Sequence, residues 1–225
     1  MKMQKTEAIE DYLKTIYALQ QDGGTPVSTS AVAQHMGVSA PAASAMIKKL
    51  ASRGLARHER YRGVSLTRGG ERVAVEVLRH HRLLEQYLAQ RLGVGIDDVH
   101  QEAERLEHAL SEELEELIDR ELGYPTHDPH GDPIPDAELK VPQTPLRTLG
   151  DLEPGEKSIV RRVPDRDRQL LGYLSSLGLM PGALVELVSA APFGGPLVVI
   201  VAGVEAAISS DLAALVGVAP LAPSI

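Results

Sequence analysis

The hydrophobic positions divide the chain into a helical stretch followed by a stretch of short strands. Ile9, Tyr12, Leu13, Ile16, Tyr17 and Leu19 recur at a helical period, predicting a helix from about Thr6 to Gln20 that Asp22-Gly23-Gly24 ends. Val27-Ser28-Thr29-Ser30 offers a cap for a second helix running to Gly37. Ser39 caps a third, with Pro41 in its first turn and Met46, Ile47 and Leu50 on its buried side. Two short helices around a Gly-containing turn predict a helix-turn-helix, although a plain helical hairpin has the same pattern. Leu55 to Thr67 reads as two short strands around a turn at Arg62-Gly63, the wing of a winged helix, which favours the first alternative. Thr67-Arg68-Gly69-Gly70-Glu71 opens a long helix with Val73, Val77, Leu84, Leu88 and Leu92 apolar, ending near Gly93. Asp97 and Asp98 favour the start of another, and a further helix runs from Glu112 to Leu122 with Leu114, Leu117, Ile118 and Leu122 apolar. These helices carry more apolar surface than their own packing needs, which points to a homodimer interface.

From Tyr124 to Pro145 there are six prolines and no sustained period, the pattern of a linker or extended crossover. His127, Asp128, His130 and Asp132 lie in it and are either a metal site or, as residues beside Pro in a loop more often are, turn-setting residues, the reading favoured here. After Leu149 the pattern changes again. Lys157 to Val163, Ala183 to Ser189, Leu197 to Val201 and Ala206 to Ile208 predict strands, and roughly Asp167 to Ser176 a short helix, together a small β-barrel. The expected fold class is mainly α with a small β domain. Its parts are a winged helix-turn-helix over 1–72, a helical metal-binding and dimerisation domain over 73–140, a linker over 141–150 and a barrel over 151–225.

Aromatics make up only 3% of the 225 residues, so the cores must be built from Leu, Val, Ile and Ala. Cysteine is absent, which excludes disulfides, iron–sulfur clusters and thiolate zinc sites. The N-terminus lacks a signal-peptide core, and the most apolar run, Leu197 to Gly203, is too short to span a bilayer. The expected location is therefore cytoplasmic, with no membrane partner. The net charge of −8 is unevenly placed. Residues 1–72 carry 11 Lys/Arg against 6 Asp/Glu, or +5, and residues 73–140 carry 6 against 17, or −11. The first segment suits a polyanion and the second suits cations. In the first, Lys48, Lys49, Arg53, Arg57, Arg60, Arg62 and Arg68 are candidate phosphate contacts. Ser39, Ala40, Pro41, Ala42 and Ser44 form the part of the second helix-turn-helix helix expected to enter the major groove of duplex DNA. These side chains are small and form no Arg–guanine fork, so specificity is expected from half-site spacing and DNA shape.

In the acidic segment, His100, Glu104, Glu107 and His108 fall at i, i+4, i+7 and i+8, one stripe if the stretch is helical. Such a stripe is either a cation site or a charged solvent face. His81 and Glu85 repeat the i, i+4 spacing on the long helix, where His80 has no carboxylate one turn later and reads as a bystander. Asp11 borders the apolar stripe of the first helix. Carboxylate and imidazole without thiolate suit Mn²⁺ or Fe²⁺, with Zn²⁺ and Co²⁺ as competitors in vitro. No phosphate loop or nucleophile elbow is present, and no enzymatic activity or small-molecule substrate is expected. A metal-dependent enzyme and a metal-buffering protein are the alternatives, and metal-dependent retention on duplex DNA separates the regulator from both.

Thr6-Glu7-Ala8-Ile9-Glu10-Asp11-Tyr12-Leu13-Lys14-Thr15-Ile16-Tyr17, Leu66-Thr67-Arg68-Gly69-Gly70, His81-Arg82-Leu83-Leu84-Glu85, the stretch from His100 to His108 and Gly131-Asp132-Pro133-Ile134-Pro135 jointly resemble the diphtheria-toxin-repressor family of metal-dependent transcriptional regulators. Leu177-Gly178-Leu179-Met180-Pro181-Gly182 and Gly195-Pro196 resemble the SH3-like FeoA domain carried by many members. The resemblance implies a primary, activating metal site at Asp11, Glu104, Glu107 and His108, and an ancillary site at His81, Glu85 and His100. It also implies a dimer on a palindromic operator. Iron-responsive members place Met and Cys where this chain has Asp11 and Glu104, so the resemblance favours Mn²⁺ over Fe²⁺. Shorter manganese-responsive members have a second N-terminal carboxylate where this chain has Lys14. A ligand from the SH3-like domain corresponds to Asp165 or Asp167, since the other matching position is Arg162.

Overall fold

The computed structural model describes residues 7–59, 62–142, 146–165 and 167–221. Their long-range contacts group into two compact units. One comprises residues 1–81, 105–116 and 135–141, and the other 82–104, 117–134 and 142–225.

In the first unit, α1 (Glu7–Gly23), α2 (Thr29–His35) and α3 (Ala40–Ser52) precede strands β1 (Ala56–Glu59) and β2 (Gly63–Leu66), and α4 (Arg68–Leu92) begins. Both predicted caps form: Ser28 Oγ accepts from Ala31 N at 3.1 Å and Ser39 Oγ from Ala42 N at 3.4 Å. Each satisfies one of the four backbone donors left open at a helix start. Ile9, Leu13 and Ile16 of α1, Val32 of α2, and Ala43, Ile47 and Leu50 of α3 are fully buried together with Val64 of the wing. Val27 and Val64 exchange both backbone hydrogen bonds at 2.8 Å, so the wing is pinned to the segment entering α2. Leu66 N donates to Gln20 Oε1, which fixes β2 on α1. The winged helix-turn-helix expected from the pattern is present. Arg60, one of the wing candidates, lies outside the described residues.

The helical elements that follow are α5 (Val99–Leu106) and α6 (Glu112–Glu121). The stretch from His100 to His108 is not one helix. Helix α5 ends at Leu106, and Ala109 N donates back to the Leu106 carbonyl at 3.0 Å, so Glu107 and His108 stand in the closing turn. On α6, Leu114 and Leu117 are about half exposed whereas Ile118 is buried, which leaves the apolar surplus anticipated for this region.

The second unit holds an all-antiparallel sheet. Its strands are β3 (Arg147–Thr148), β4 (Lys157–Arg162), β5 (Leu184–Ala190), β6 (Leu197–Val201), β7 (Val204–Ile208) and β8 (Gly217–Pro220), in the spatial order β3-β8-β4-β5-β6-β7. Helix α7 (Arg168–Ser176) and the short α8 (Ser210–Ala213) interrupt them. Leu149, Val160, Leu171, Leu174, Leu179, Leu187 and Val199 fill the core with no aromatic side chain. The preceding 126–134 loop docks on β4. Val163 N donates to the His130 carbonyl at 2.9 Å, and a Cβ at Gly131 (φ +90°) would run into the Arg161 carbonyl. Among the described residues, no helix is long and apolar enough to cross a membrane.

The start of α4 supplies a paired test of this packing. A Cβ at Gly70 would collide with the Leu55 backbone carbonyl, whereas one at Gly69 meets only the Thr67 hydroxyl at an ordinary distance. Gly70→Ala is expected to lower unfolding stability by roughly 2 kcal/mol or more, and Gly69→Ala to leave it unchanged or raise it by up to about 1 kcal/mol. Urea unfolding midpoints of the two variants check this.

Candidate metal centre and nucleic-acid interface

Asp11 projects from α1, and Glu107 and His108 from the turn that ends α5. All three belong to the first unit, and their donor atoms lie within 4.8 Å of one another. His108 Nε2 is 2.8 Å from Asp11 Oδ1 and 3.6 Å from Glu107 Oε1, and its Nδ1 is 2.7 Å from Glu10 Oε2. The Glu107 side chain is 1% exposed. Its Oε1 pairs with the Lys14 ammonium at 2.5 Å, its Oε2 meets His81 Nδ1 at 2.5 Å, and its backbone carbonyl accepts from His80 Nδ1 at 3.1 Å. A cleft of about 120 Å³ opens beside the group, lined by Glu10, Glu76, His80, Glu107 and His108 among others.

Electrostatics follow from these contacts. The hydrogen bond with Asp11, opposed by burial and reinforced by Glu10 and the nearby carboxylate charges, pushes the His108 imidazole up to about 9. Burial pushes the Glu107 carboxyl upward, but the hydrogen bond and charge of His81, together with Lys14, leave it below the usual carboxylate range. His80 is not a bystander structurally. It is buried, and its Nε2 lies 2.8 Å from Glu115 Oε2, which also pairs with Arg79.

A second cluster lies in the other unit. Glu85 is fully buried on α4; its Oε1 is 2.9 Å from His100 Nδ1 and its Oε2 is 3.7 Å from His130 Nδ1. Glu85, Asp128 and His130 offer ligand atoms within 4.8 Å of one another. Asp128 Oδ2 and His130 Nδ1 are buried without a hydrogen bond among the described residues; Arg82 Nε stands 3.6 Å from that carboxylate oxygen and Glu85 Oε2 3.7 Å from that ring nitrogen. Burial, with the charges of Glu85 and Asp132, drives the Asp128 carboxyl well above the usual range. A divalent cation fits such a donor set, since it would answer the buried carboxylates and the open imidazole nitrogen together.

The candidates from sequence thus fall into three groups. Asp11, Glu107 and His108 are brought together, as are His81, Glu85 and His100, whose ligand atoms lie within 4.8 Å of one another. His81 stands one turn before Glu85 on α4, with its Nδ1 on Glu107. Glu104 is outside the Asp11 group; it is half exposed on α5, 3.7 Å from His100 Nε2. Asp165 Oδ2 is 3.7 Å from His100 Nδ1, whereas Asp167 is occupied capping α7, accepting from Gln169 N and Leu170 N, and Arg162 faces Asp132 at 3.8 Å. Asp128 and His130 read from sequence as turn residues. Asp128 does set the turn, since its Oδ1 accepts from His130 N and Asp132 N, both at 2.9 Å. Its second oxygen is what the turn leaves over for the cluster.

On the DNA-binding side, Ser39, Ala40, Pro41 and Ala42 are exposed at the start of α3 and Ser44 is half-buried, with Lys48 and Lys49 exposed further along. Arg57 is exposed on β1, and Arg62 is exposed and paired with Glu59 at 3.2 Å, a surface pair of small energy. A winged helix with a basic face, joined to carboxylate–imidazole clusters, defines the class of metal-dependent DNA-binding proteins. Comparison with known proteins narrows this. Residues 4–64 match the model of the iron dependent repressor N-terminal DNA binding domain, 67–136 that of the iron dependent repressor metal binding and dimerisation domain, and 147–220 that of the FeoA domain. The iron-dependent repressor IdeR of Mycobacterium tuberculosis is 34% identical over 206 residues, covering 86% of this chain and 89% of that protein. The diphtheria toxin repressor of Corynebacterium efficiens is 32% identical, covering 81% and 84%. Among solved structures, a manganese-dependent transcriptional repressor in complex with manganese is 40% identical with a TM-score of 0.86, covering 95% of this chain and all of the other. The manganese regulator SloR is 33% identical with a TM-score of 0.78, covering 95% and 98%. The chain belongs to the diphtheria-toxin-repressor family of iron-dependent repressors. Its members are metal-dependent transcriptional repressors, not enzymes, that bind DNA and dimerise through the metal-binding domain.

The geometry around His108 predicts a pH dependence. Because its folded pKa of about 9 lies above the ordinary 6.5, the protonated ring stabilises the fold fully below about pH 6.5, and that contribution is lost as pH rises through about 9. His130 is raised to about 9 as well and acts in the same direction. The thermal midpoint of metal-stripped protein is therefore expected to fall between pH 6.5 and 9, and less steeply in His108→Gln. Equal slopes in the two proteins would contradict the assignment.

Proposed function

We propose that this protein is a cytoplasmic, manganese-responsive repressor of metal-ion homeostasis genes that binds a palindromic operator as a homodimer when its metal sites are filled. The observation that carries the reading is the meeting of Asp11 from the DNA-binding domain with Glu107 and His108 from the metal-binding domain. The proposed primary site comprises these three with Glu104 as a fourth donor, and the proposed ancillary site comprises His81, Glu85 and His100 with Asp165, to which Asp128 and His130 are added. Residues 1–72 read DNA, 73–140 bind metal and dimerise through the exposed Leu114 and Leu117 face, 141–150 link, and 151–225 form the FeoA-type domain. Residues 143–145 of that linker lie outside the described residues.

Metal choice rests on the donors. Asp11, Glu104, Glu107 and His108 are oxygen and nitrogen ligands without sulfur, a harder set that suits Mn²⁺, with Fe²⁺ as the runner-up and Zn²⁺ or Co²⁺ as substitutes in vitro. Structural relatives described as manganese-dependent support it, and the iron-dependent relatives keep the second reading open. When bound, the cation would supply the counter-charge to Asp11 and Glu107 that the His108 proton and the Lys14 ammonium supply without it. Asp11 then holds α1 to the turn after α5, which fixes the position of α3 for the major groove. Ser39, Ala40, Pro41, Ala42 and Ser44 face the bases, and Lys48, Lys49, Arg57, Arg60 and Arg62 contact phosphates. A coupling of about 1–3 kcal/mol between metal and DNA is the typical scale.

Selection of genomic fragments by purified protein tests the reading, run at one salt concentration with Mn²⁺, with anaerobic Fe²⁺ and with chelator. Recovery of one palindrome only with metal, at lower Mn²⁺ than Fe²⁺, is expected. Glu104→Ala is expected to lose metal-dependent recovery while remaining dimeric. Equal recovery with chelator would remove the metal switch, and no recovery would favour a metal-dependent enzyme.

A further inference from the structure

Lys14 sits one turn after Asp11 on α1, and both side chains reach the turn that ends α5. The Lys14 ammonium lies 2.5 Å from Glu107 Oε1, and its side chain is 18% exposed. That oxygen is also the one facing His108 Nε2, at 3.6 Å, and His108 Nε2 in turn is 2.8 Å from Asp11 Oδ1. The other Glu107 oxygen is taken up by His81 Nδ1. A carboxylate as buried as Glu107 is costly without a counter-charge, and Lys14 supplies one from the same side as the other two donors. A metal ion shared by Asp11, Glu107 and His108 needs this face of Glu107. Two cations at contact distance on one oxygen repel strongly where water is excluded.

We infer that Lys14 is a tethered competitor for the metal. In the metal-free protein its ammonium holds the Glu107 oxygen that a divalent cation takes on binding, and the cation displaces it. The inference rests on the proposed assignment of a cation to Asp11, Glu107 and His108. Lys14 can leave at small cost, because an ammonium on a flexible four-carbon stem hydrates readily once it swings outward. Helix α1 thus exchanges one tether to Glu107, through Lys14, for another through Asp11. The site binds more weakly than its donors alone would allow, so it responds at a higher metal concentration.

The test is calorimetric titration of metal-stripped full-length protein with Mn²⁺, with thermal midpoints measured in chelator and in saturating Mn²⁺. Wild type, Lys14→Met, Lys14→Gln and Glu107→Gln are compared. Loss of one binding component in Glu107→Gln identifies the part of the isotherm that belongs to this site. Lys14→Met is expected to tighten that component about tenfold, equivalent to removing one competing ion pair. Its chelator midpoint falls while its Mn²⁺ midpoint stays at the wild-type value, so the metal-induced shift widens. Lys14→Gln, which keeps a hydrogen-bond donor, is expected to change in the same direction by less. Unchanged affinity, with both midpoints lowered equally, overturns the inference, since Lys14 is then a structural ion pair kept in both states. If Glu107→Gln binds Mn²⁺ like wild type, the site assignment fails first and the inference with it.

Discussion

Glu107 is a carboxylate with almost no access to water, and a charge taken that far from solvent must be compensated where it stands. The first unit meets this demand from several directions. Lys14 comes from α1, His81 from α4, and His108 is the next residue in the same turn. Even the backbone carbonyl of Glu107 is held by His80, whose other ring nitrogen lies beside Glu115. Compensation of one buried charge therefore gathers elements far apart in sequence. It does so where α1, the first helix of the DNA-binding domain, presents Asp11. A change of charge at this point bears directly on the helix that supports α2 and α3 through Ile9, Leu13 and Ile16.

The two clusters use one chemistry in different settings. Around Glu107 the charges are already answered by imidazole and ammonium, whereas Asp128 Oδ2 and His130 Nδ1 are buried with no hydrogen bond among the described residues. The second arrangement depends on a close backbone approach. Gly131 lets the 126–134 loop lie against the Arg161 carbonyl of β4, and Val163 N clasps the His130 carbonyl. Arg82 reaches Asp132 at 3.4 Å and Asp128 at 3.6 Å, so the loop is also held electrostatically from α4. The sheet domain thereby holds one wall of the Glu85, Asp128 and His130 group, with Asp165 close to His100 at its edge.

Much of this was legible in the sequence, for physical reasons that also mark where reading stopped. Apolar positions at a helical period, Ser28 and Ser39 as caps, and glycine at the helix ends are local signals, and α1, α2, α3 and α4 follow them closely. The grouping of Asp11 with Glu107 and His108 came from the family resemblance rather than from spacing, and the structure brings these three side chains together. Spacing misled in one respect. The stripe from His100 to His108 assumed a continuous helix, but α5 ends at Leu106 and Glu107 and His108 stand in the turn that closes it. Asp128 and His130 were visible as a possible metal site but ranked below a turn, because a turn and a ligand cluster call for the same residues beside proline. Only the second oxygen of Asp128 distinguishes them, and that needs coordinates. Strands β3 and β8 have two and four residues and owe their existence to pairing with each other and with β4, a non-local cause that no short window carries.

In the proposed switch, one cation joins Asp11 to Glu107 and His108. Anomalous diffraction from crystals grown with Mn²⁺, recorded on both sides of the manganese absorption edge, tests it most directly. A manganese peak is expected within coordination distance of all three side chains, with the Lys14 ammonium no longer on Glu107. A peak confined to Glu85, Asp128 and His130, with His108 still hydrogen-bonded to Asp11 and Lys14 still on Glu107, would contradict it.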